Sequence, residues 1–156
     1  MNVEELKRAT VELMNTASGA YVTTVGADGY PRTRVMFNLR NRKEFPTLAS
    51  LFAGHDDDLL LYLGTNTSSA KIEEFRRNPK ACVYFSDYPQ FVGMMLAGDL
   101  EVVADPRVRR TLWVEGWERY YPAGVDDPDY TVLRLLPRFV SGWYHSSRIE
   151  FRVADR

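Results

Sequence analysis

Phe91-Val92-Gly93-Met94-Met95-Leu96-Ala97-Gly98-Asp99-Leu100-Glu101-Val102-Val103-Ala104 is the stretch that decides the fold. It reads as strand over more length than one flat strand usually takes, and Gly93 and Gly98 mark places for a bulge or a sharp bend. Shorter strand patterns flank it. The run Ala81-Cys82-Val83-Tyr84-Phe85 precedes it, and residues 131–136, 139–144 and 149–153 follow it as three further strands. Upstream, residues 20–25 and 32–39 flank the turn Ala27-Asp28-Gly29 as a hairpin, and residues 59–63 form a buried-looking strand. Helical patterns are few. Val3, Leu6, Ala9, Leu13 and Met14 share one helical face before Gly19. Ile72 and Phe75 carry a second helix that stops at Asn78-Pro79, and Asp105-Pro106 caps a third that runs to about residue 120. Residues 41–46 read as a polar loop, 47–53 as a short helix or irregular cover, and 122–129 as a loop. Strands that do not alternate regularly with helices exclude a doubly wound parallel sheet. The chain is therefore expected to be mainly β, a six- to seven-stranded antiparallel β-barrel with flanking helices, which removes exposed sheet edges.

The composition narrows the function. At 156 residues the chain fits one domain, 1–156, large enough to bury a core without disulfides or metals. Twenty basic residues meet 21 acidic ones for a formal net charge of -1, without the basic excess of a nucleic-acid binder. Cys82, the single cysteine, sits in an apolar run and reads as a core residue in a reducing compartment. No apolar stretch approaches the roughly 20 residues that span a bilayer, and the first residues lack a signal-peptide centre. The expectation is a cytoplasmic protein with no nucleic-acid or membrane partner.

Gly64-Thr65-Asn66-Thr67-Ser68-Ser69-Ala70-Lys71 is the chemically informative stretch. It joins a strand to a helix, where free N–H groups and the positive end of the helix dipole converge. Thr65, Ser68 and Ser69 bring hydroxyls, and Lys71 adds a charge that opposes the dipole unless an anion binds beside it. A plain N-cap with a solvated lysine accounts for these residues equally well. Arg34 lies mid-strand in Arg32-Thr33-Arg34-Val35-Met36-Phe37 and offers either a surface ion pair or a bidentate fork for phosphate. Of the histidines, His55 reads as part of a solvated acidic turn and His145 as a candidate pocket residue. No cluster has zinc or EF-hand spacing, so no metal site is assigned. Trp113, Trp117, Tyr120 and Tyr121 fit packing on one helix.

Gly29-Tyr30-Pro31-Arg32-Thr33-Arg34-Val35-Met36 resembles the G-x-P-x-x-R-x-V/M strand of the pyridoxamine 5′-phosphate oxidase-like, FMN-binding split-barrel family. Tyr62-Leu63-Gly64-Thr65, Lys71 and Asn78-Pro79 resemble that family's strand threonine, lysine and helix end. Gly98, Asp105 before Trp113, and Gly124-Val125-Asp126-Asp127-Pro128 look like its general-stress-protein branch. The resemblance implies an FMN-binding split barrel. It implies that Arg34 and Lys71 hold the FMN phosphate with Gly64, Thr65, Ser68 and Ser69 near them, and that Val35, Met36 and Phe37 face the flavin ring. It also implies a homodimer with the flavin at the subunit interface, where Trp143 reaches the partner's flavin, although Ser141 stands where many members carry glutamate. The activity expected is an FMN-dependent oxidoreductase acting on an unknown small molecule. The catalytic residues are left unassigned. A flavin-binding stress protein without turnover, or the same barrel holding haem or a deazaflavin, is the alternative, and a visible spectrum separates the ligands.

Leu39 occupies the place where true pyridoxamine-phosphate oxidases carry a lysine for the substrate phosphate, and residues 105–130 lack their arginine and serine pattern. The purified protein should therefore not oxidise pyridoxamine or pyridoxine 5′-phosphate. Steady hydrogen peroxide production with either, above a free-FMN background, would contradict this.

Overall fold

The computed structural model describes residues 1–153. The long strand β5 (Val92–Val102) pairs with a longer one, β6 (Tyr130–Tyr144), from Val92 opposite Tyr144 to Val102 opposite Leu133. The register shifts between Ala97, which faces Phe139, and Gly98, which faces Pro137, so Arg138 is the extra residue of a bulge. A Cβ on Gly98 would stand 2.5 Å from the Leu136 carbonyl oxygen, so the close approach requires glycine. Pro137 donates no hydrogen bond and is tolerated at a bulge. This corrects the sequence expectation of separate strands at 131–136 and 139–144. They form one strand with a bend.

The bend lets β6 serve two neighbours on its other edge. Residues 130–135 pair with β3 (Leu61–Asn66), and residues 139–144 pair with β7 (Ser147–Arg152). With β1 (Ala20–Val25), β2 (Pro31–Met36) and β4 (Lys80–Asp87), the seven strands form one antiparallel sheet in the order β2-β1-β4-β5-β6-β3, with β7 beside β6. The end strands β2 and β3 do not pair with each other. The fold is the mainly β, antiparallel split barrel that the family resemblance implies; the full closure that the strand pattern suggested is not reached, because β2 and β3 keep open edges.

Helix α1 (Val3–Thr16) starts with a reciprocal cap: the Asn2 side chain accepts from the Glu5 N–H at 2.9 Å, and the Glu5 carboxylate accepts from the Asn2 N–H at 2.8 Å. Its Leu6, Leu13 and Met14 pack into the barrel interior with Val22, Val83, Phe85, Leu96 and Val140. A second core lies on the other face of β3. Strand alternation sends Leu61 and Leu63 into the first core, while Tyr62, preceded by Leu60, enters the second with Leu48, Phe52, Leu112, Trp117 and Tyr130. Burial on both faces explains the unbroken apolar run before β3.

The third expected helix is shorter than its aromatic spacing suggested. Helix α4 (Pro106–Leu112) ends at Trp113, and Gly116 takes a left-handed φ of 90° that turns the chain into a single 3-10 turn at Trp117–Arg119. The turn folds Trp117 and Tyr121 back onto the second core. Between β2 and β3, α2 (Ala49–Ala53) supplies the short helix expected there.

The acidic turn at residues 55–58 is not simply solvated. Asp58 is buried, accepts from the Leu60 N–H at 3.0 Å and faces His55 Nδ1 at 3.1 Å. Asp56 meets the wholly buried Arg40, Nη1 to Oδ1 at 3.1 Å. Arg40 also donates to the Leu60 carbonyl at 3.1 Å, the His55 carbonyl at 2.8 Å and Asn15 Oδ1 at 3.3 Å, with its guanidinium 5.1 Å from the Phe52 ring centroid. One side chain therefore ties α1, α2 and the start of β3 together. Arg40→Met should lower the unfolding free energy by about 3–5 kcal/mol, because it leaves buried acceptors unpaired. Arg40→Lys should recover only part, since an ammonium cannot reproduce the guanidinium fork. A denaturation midpoint for Arg40→Met equal to that of the parent would refute the assignment.

Candidate functional site

The edge strands β2 and β3, which do not pair with each other, frame a cleft of about 510 Å³. β2 and the residue after it contribute Arg34, Val35, Met36 and Phe37, β3 contributes Gly64, Thr65 and Asn66, and α3 (Ala70–Arg77) contributes Lys71. Sheet edges carry main-chain N–H and C=O groups without strand partners, which suit them to a flat polar ligand. Ser18 and Glu44 border the cleft, and Trp117, Tyr120 and Tyr121 form an aromatic wall. Phe37 and Trp117 stack with centroids 6.1 Å apart and planes 21° apart, and Tyr120 lies 6.2 Å from Phe37.

Arg34 and Lys71 give the cleft its cations. Lys71 is buried, and its ammonium donates to Thr65 Oγ1 at 2.8 Å and Ser69 Oγ at 2.6 Å. Burial pushes its pKa below the ordinary lysine value, and the nearby Arg34 charge pushes the same way. Both hydrogen bonds go to neutral hydroxyls, so an anion beside Lys71 would relieve the charge. Ser69 precedes α3 without a side-chain bond to the helix backbone, because its hydroxyl is turned to Lys71. Arg34 Nη2 donates to Glu74 Oε2 at 2.9 Å, and Nη1 donates to Thr24 Oγ1 at 2.6 Å and to the Arg32 carbonyl at 2.9 Å. Thr24 and Glu74 are also in direct hydrogen-bond contact. The Thr24 hydroxyl first, and then the Arg34 guanidinium, hold the Glu74 carboxyl below the usual carboxylate range.

Of the residues singled out from the sequence, Arg34, Val35, Met36, Phe37, Gly64, Thr65 and Lys71 converge on this cleft, with Ser69 touching it through Lys71. Ser68 does not. It is exposed, and its N–H donates to Asp129 Oδ1 at 2.8 Å. Trp143 lies at the far end of β6, opposite Gly93, in a small groove with Tyr84, Tyr88 and Phe91. His145 sits in the β6–β7 turn with Nδ1 2.9 Å from the Gln90 carbonyl, away from the cleft. Leu39 is buried in the second core. Among the described residues no group of three or more His, Cys, Asp or Glu could hold a metal, and no helix is long and apolar enough to cross a membrane.

Sequence reasoning missed the cleft roles of Ser18, Glu44, Asn66, Trp117, Tyr120 and Tyr121, and the contact of Thr24 and Glu74 with Arg34. Only Glu74 carried a local signal: it lies one helical turn beyond Lys71, on the same face.

A family model described as pyridoxamine 5′-phosphate oxidase matches residues 6–144. Among solved structures, the chain is similar to a protein from Clostridium acetobutylicum related to general stress protein 26 of Bacillus subtilis (pyridoxinephosphate oxidase family). The two share 33% identity over 97% of each chain, with a TM-score of 0.78. General Stress Protein 26 from Bacillus anthracis is 18% identical, with 95% of this chain and 98% of that one covered and a TM-score of 0.70. A NimC/NimA family protein from Clostridium acetobutylicum shares the fold at 15% identity, with 93% and 90% coverage and a TM-score of 0.62. No curated protein matches the chain.

Proposed function

Because the chain belongs to the pyridoxamine 5′-phosphate oxidase family, we propose that the cleft between β2 and β3 binds FMN and serves an oxidoreductase acting on a small molecule other than vitamin B6. The observation that carries this reading is the polarity of the cleft. A buried ammonium, bonded only to hydroxyls, and a guanidinium share the cleft with an aromatic and strand-edge wall. A planar ring with a phosphate tail matches both. Arg34 and Lys71 bind the phosphate with Thr65 and Ser69, while Val35, Met36 and Phe37 line the ring. The flavin, when bound, supplies two-electron redox chemistry, and the protein supplies orientation, ring electrostatics and shelter from water. A second reading, a flavin-binding protein without turnover, is favoured by the cleft's few proton-transfer groups: Glu44 is exposed, and burial pushes the Tyr121 hydroxyl above the ordinary tyrosine value. Turnover of NAD(P)H with an acceptor separates the two.

Charge-assisted hydrogen bonds to phosphate are worth roughly 1.5–3 kcal/mol each. Arg34→Ala or Lys71→Ala should thus weaken FMN by about ten- to a hundredfold. Riboflavin, which lacks the phosphate, should bind poorly and respond little to either change, and Lys43→Ala should change neither affinity. Flavin fluorescence titration reads all of this. Equal losses for riboflavin and FMN would overturn the phosphate assignment.

The reading includes a homodimer. Val35, Tyr21, Tyr84 and Met95 stand side by side across β2, β1, β4 and β5, forming a row that starts at the cleft. Val35 is 62% exposed, Tyr21 45% and Tyr84 41%, with Phe91 at 60% and Trp143 at 50% beyond them. An exposed apolar band of this kind marks an interaction surface. A second copy seated on it would cover Trp143, the residue that the family resemblance implies reaches the partner's flavin. Light scattering at micromolar concentration should give the mass of two chains, and a flavin-loaded monomer would sink the proposal.

A further inference from the structure

The guanidinium offered to phosphate already holds a carboxylate, and Glu74 supplies it. Arg34 Nη2 donates to Glu74 Oε2 at 2.9 Å, and Thr24 closes a triangle by bonding both side chains. The Glu74 side chain is 12% exposed and is oriented by these bonds to Thr24 and Arg34. It does not line the cleft; it lines a separate groove with Asp28, Arg32 and Arg77. Its other oxygen lies 3.9 Å from Arg32 Nε, but Arg32 is already committed to Asp28 through two hydrogen bonds of 2.9 Å. Two cations, Arg34 and Lys71, therefore stand beside one carboxylate, Glu74, which is ion-paired with only one of them. Among the described residues Lys71 makes no ion pair: its hydrogen bonds end on Thr65 and Ser69, and the Glu74 charge reaches it only at longer range.

An arriving phosphate would meet the two ends of this pair differently. Beside Lys71 it gains a charge-assisted bond and displaces only hydroxyl contacts. At Arg34 it must share or replace the bond to Glu74, and it brings a second negative charge close to that carboxylate. Resting on the phosphate-site reading above, we propose that Glu74 is an affinity-setting residue that competes with the ligand phosphate for Arg34 and keeps the bound cofactor exchangeable. A guanidinium with only the cleft in front of it would bind a dianionic phosphate ester more tightly and release it more slowly. Glu74 gives up that affinity for an empty site in which Arg34 is already positioned.

Glu74→Gln is the discriminating change. It keeps an acceptor for Thr24 and Arg34 in place and removes only the charge, so the empty protein should keep its fold. FMN should bind about tenfold more tightly, the scale of one relieved charged interaction, with slower dissociation in stopped-flow fluorescence and a steeper loss of affinity with salt. Riboflavin affinity should not move, and that separates a charge effect at the phosphate from a general change in the cleft. Glu73→Gln is the control. It removes the same charge from an exposed neighbour paired with Arg76, and should alter FMN binding less than about twofold. Glu74→Gln with FMN affinity unchanged or weaker overturns the proposal, as does an equal gain for riboflavin or for Glu73→Gln. If Arg34→Ala weakens FMN selectively while Glu74→Gln does not tighten it, the phosphate site stands and only the role of Glu74 fails. If Arg34→Ala fails to distinguish FMN from riboflavin, both fall together.

Discussion

Gly98 has no side chain, and the Leu136 carbonyl oxygen occupies the space where a Cβ would project. That close approach, with Arg138 bulged out beside Pro137, lets β6 bend and pair with β3 at one end and β7 at the other. Without the bend, β3 could not curl back toward β2. With it, the sheet curls but leaves β2 and β3 unpaired with each other, and the candidate site lies between them. An open edge is ordinarily a liability. Here it lies between α3, the aromatic wall and the cations of the cleft.

The two parts of the cleft rest on different physics. The aromatic wall belongs to the second core: Trp117 stacks on Phe37 and packs against Phe45 and Tyr130, so its position is set by burial rather than by any ligand. The cationic part is under electrostatic tension in the protein alone. Burying the Lys71 ammonium costs solvation that two hydroxyls offset only in part, and the Arg34 charge nearby adds to the cost. An anion removes the tension, so sites of this kind trade stability for binding. The ordered wall and the tense cationic pair together favour a ligand that is flat at one end and negatively charged at the other.

Arg40 does for the loop before β3 what hydrophobic side chains do for the barrel. Its guanidinium satisfies carbonyls at His55 and Leu60 and the side chains of Asn15 and Asp56, so an irregular segment can be buried without orphaned acceptors. Glu44, Phe45 and Leu48 ride on that segment and reach the cleft border and the second core. A structural arginine outside the cleft lining is thereby tied to its shape.

Local periodicity determined most of the elements. The alternation in β1, the apolar face of α1 and the Asn-Pro stop after α3 were legible because each depends on neighbours within a few residues. The strand-to-helix stretch ending at Lys71 and the strand carrying Arg34 were legible for the same reason, and they supplied the core of the site. The sequence by itself offered Gly93 and Gly98 as places for a bulge or bend, and the structure puts the bulge at Gly98. Only the tertiary structure decided that Pro137 sits inside one strand rather than between two, since a bulge requires the facing residues of β5. It alone decided that the chain turns at Gly116 instead of continuing a helix, because the second core draws Trp117 and Tyr121 inward. Ser68 turns to Asp129, and Glu74 turns to Arg34, across 61 and 40 residues of chain. Charge pairing at such separations leaves no periodic trace. Which charges meet is settled only when the sheet curls and brings its two edges face to face.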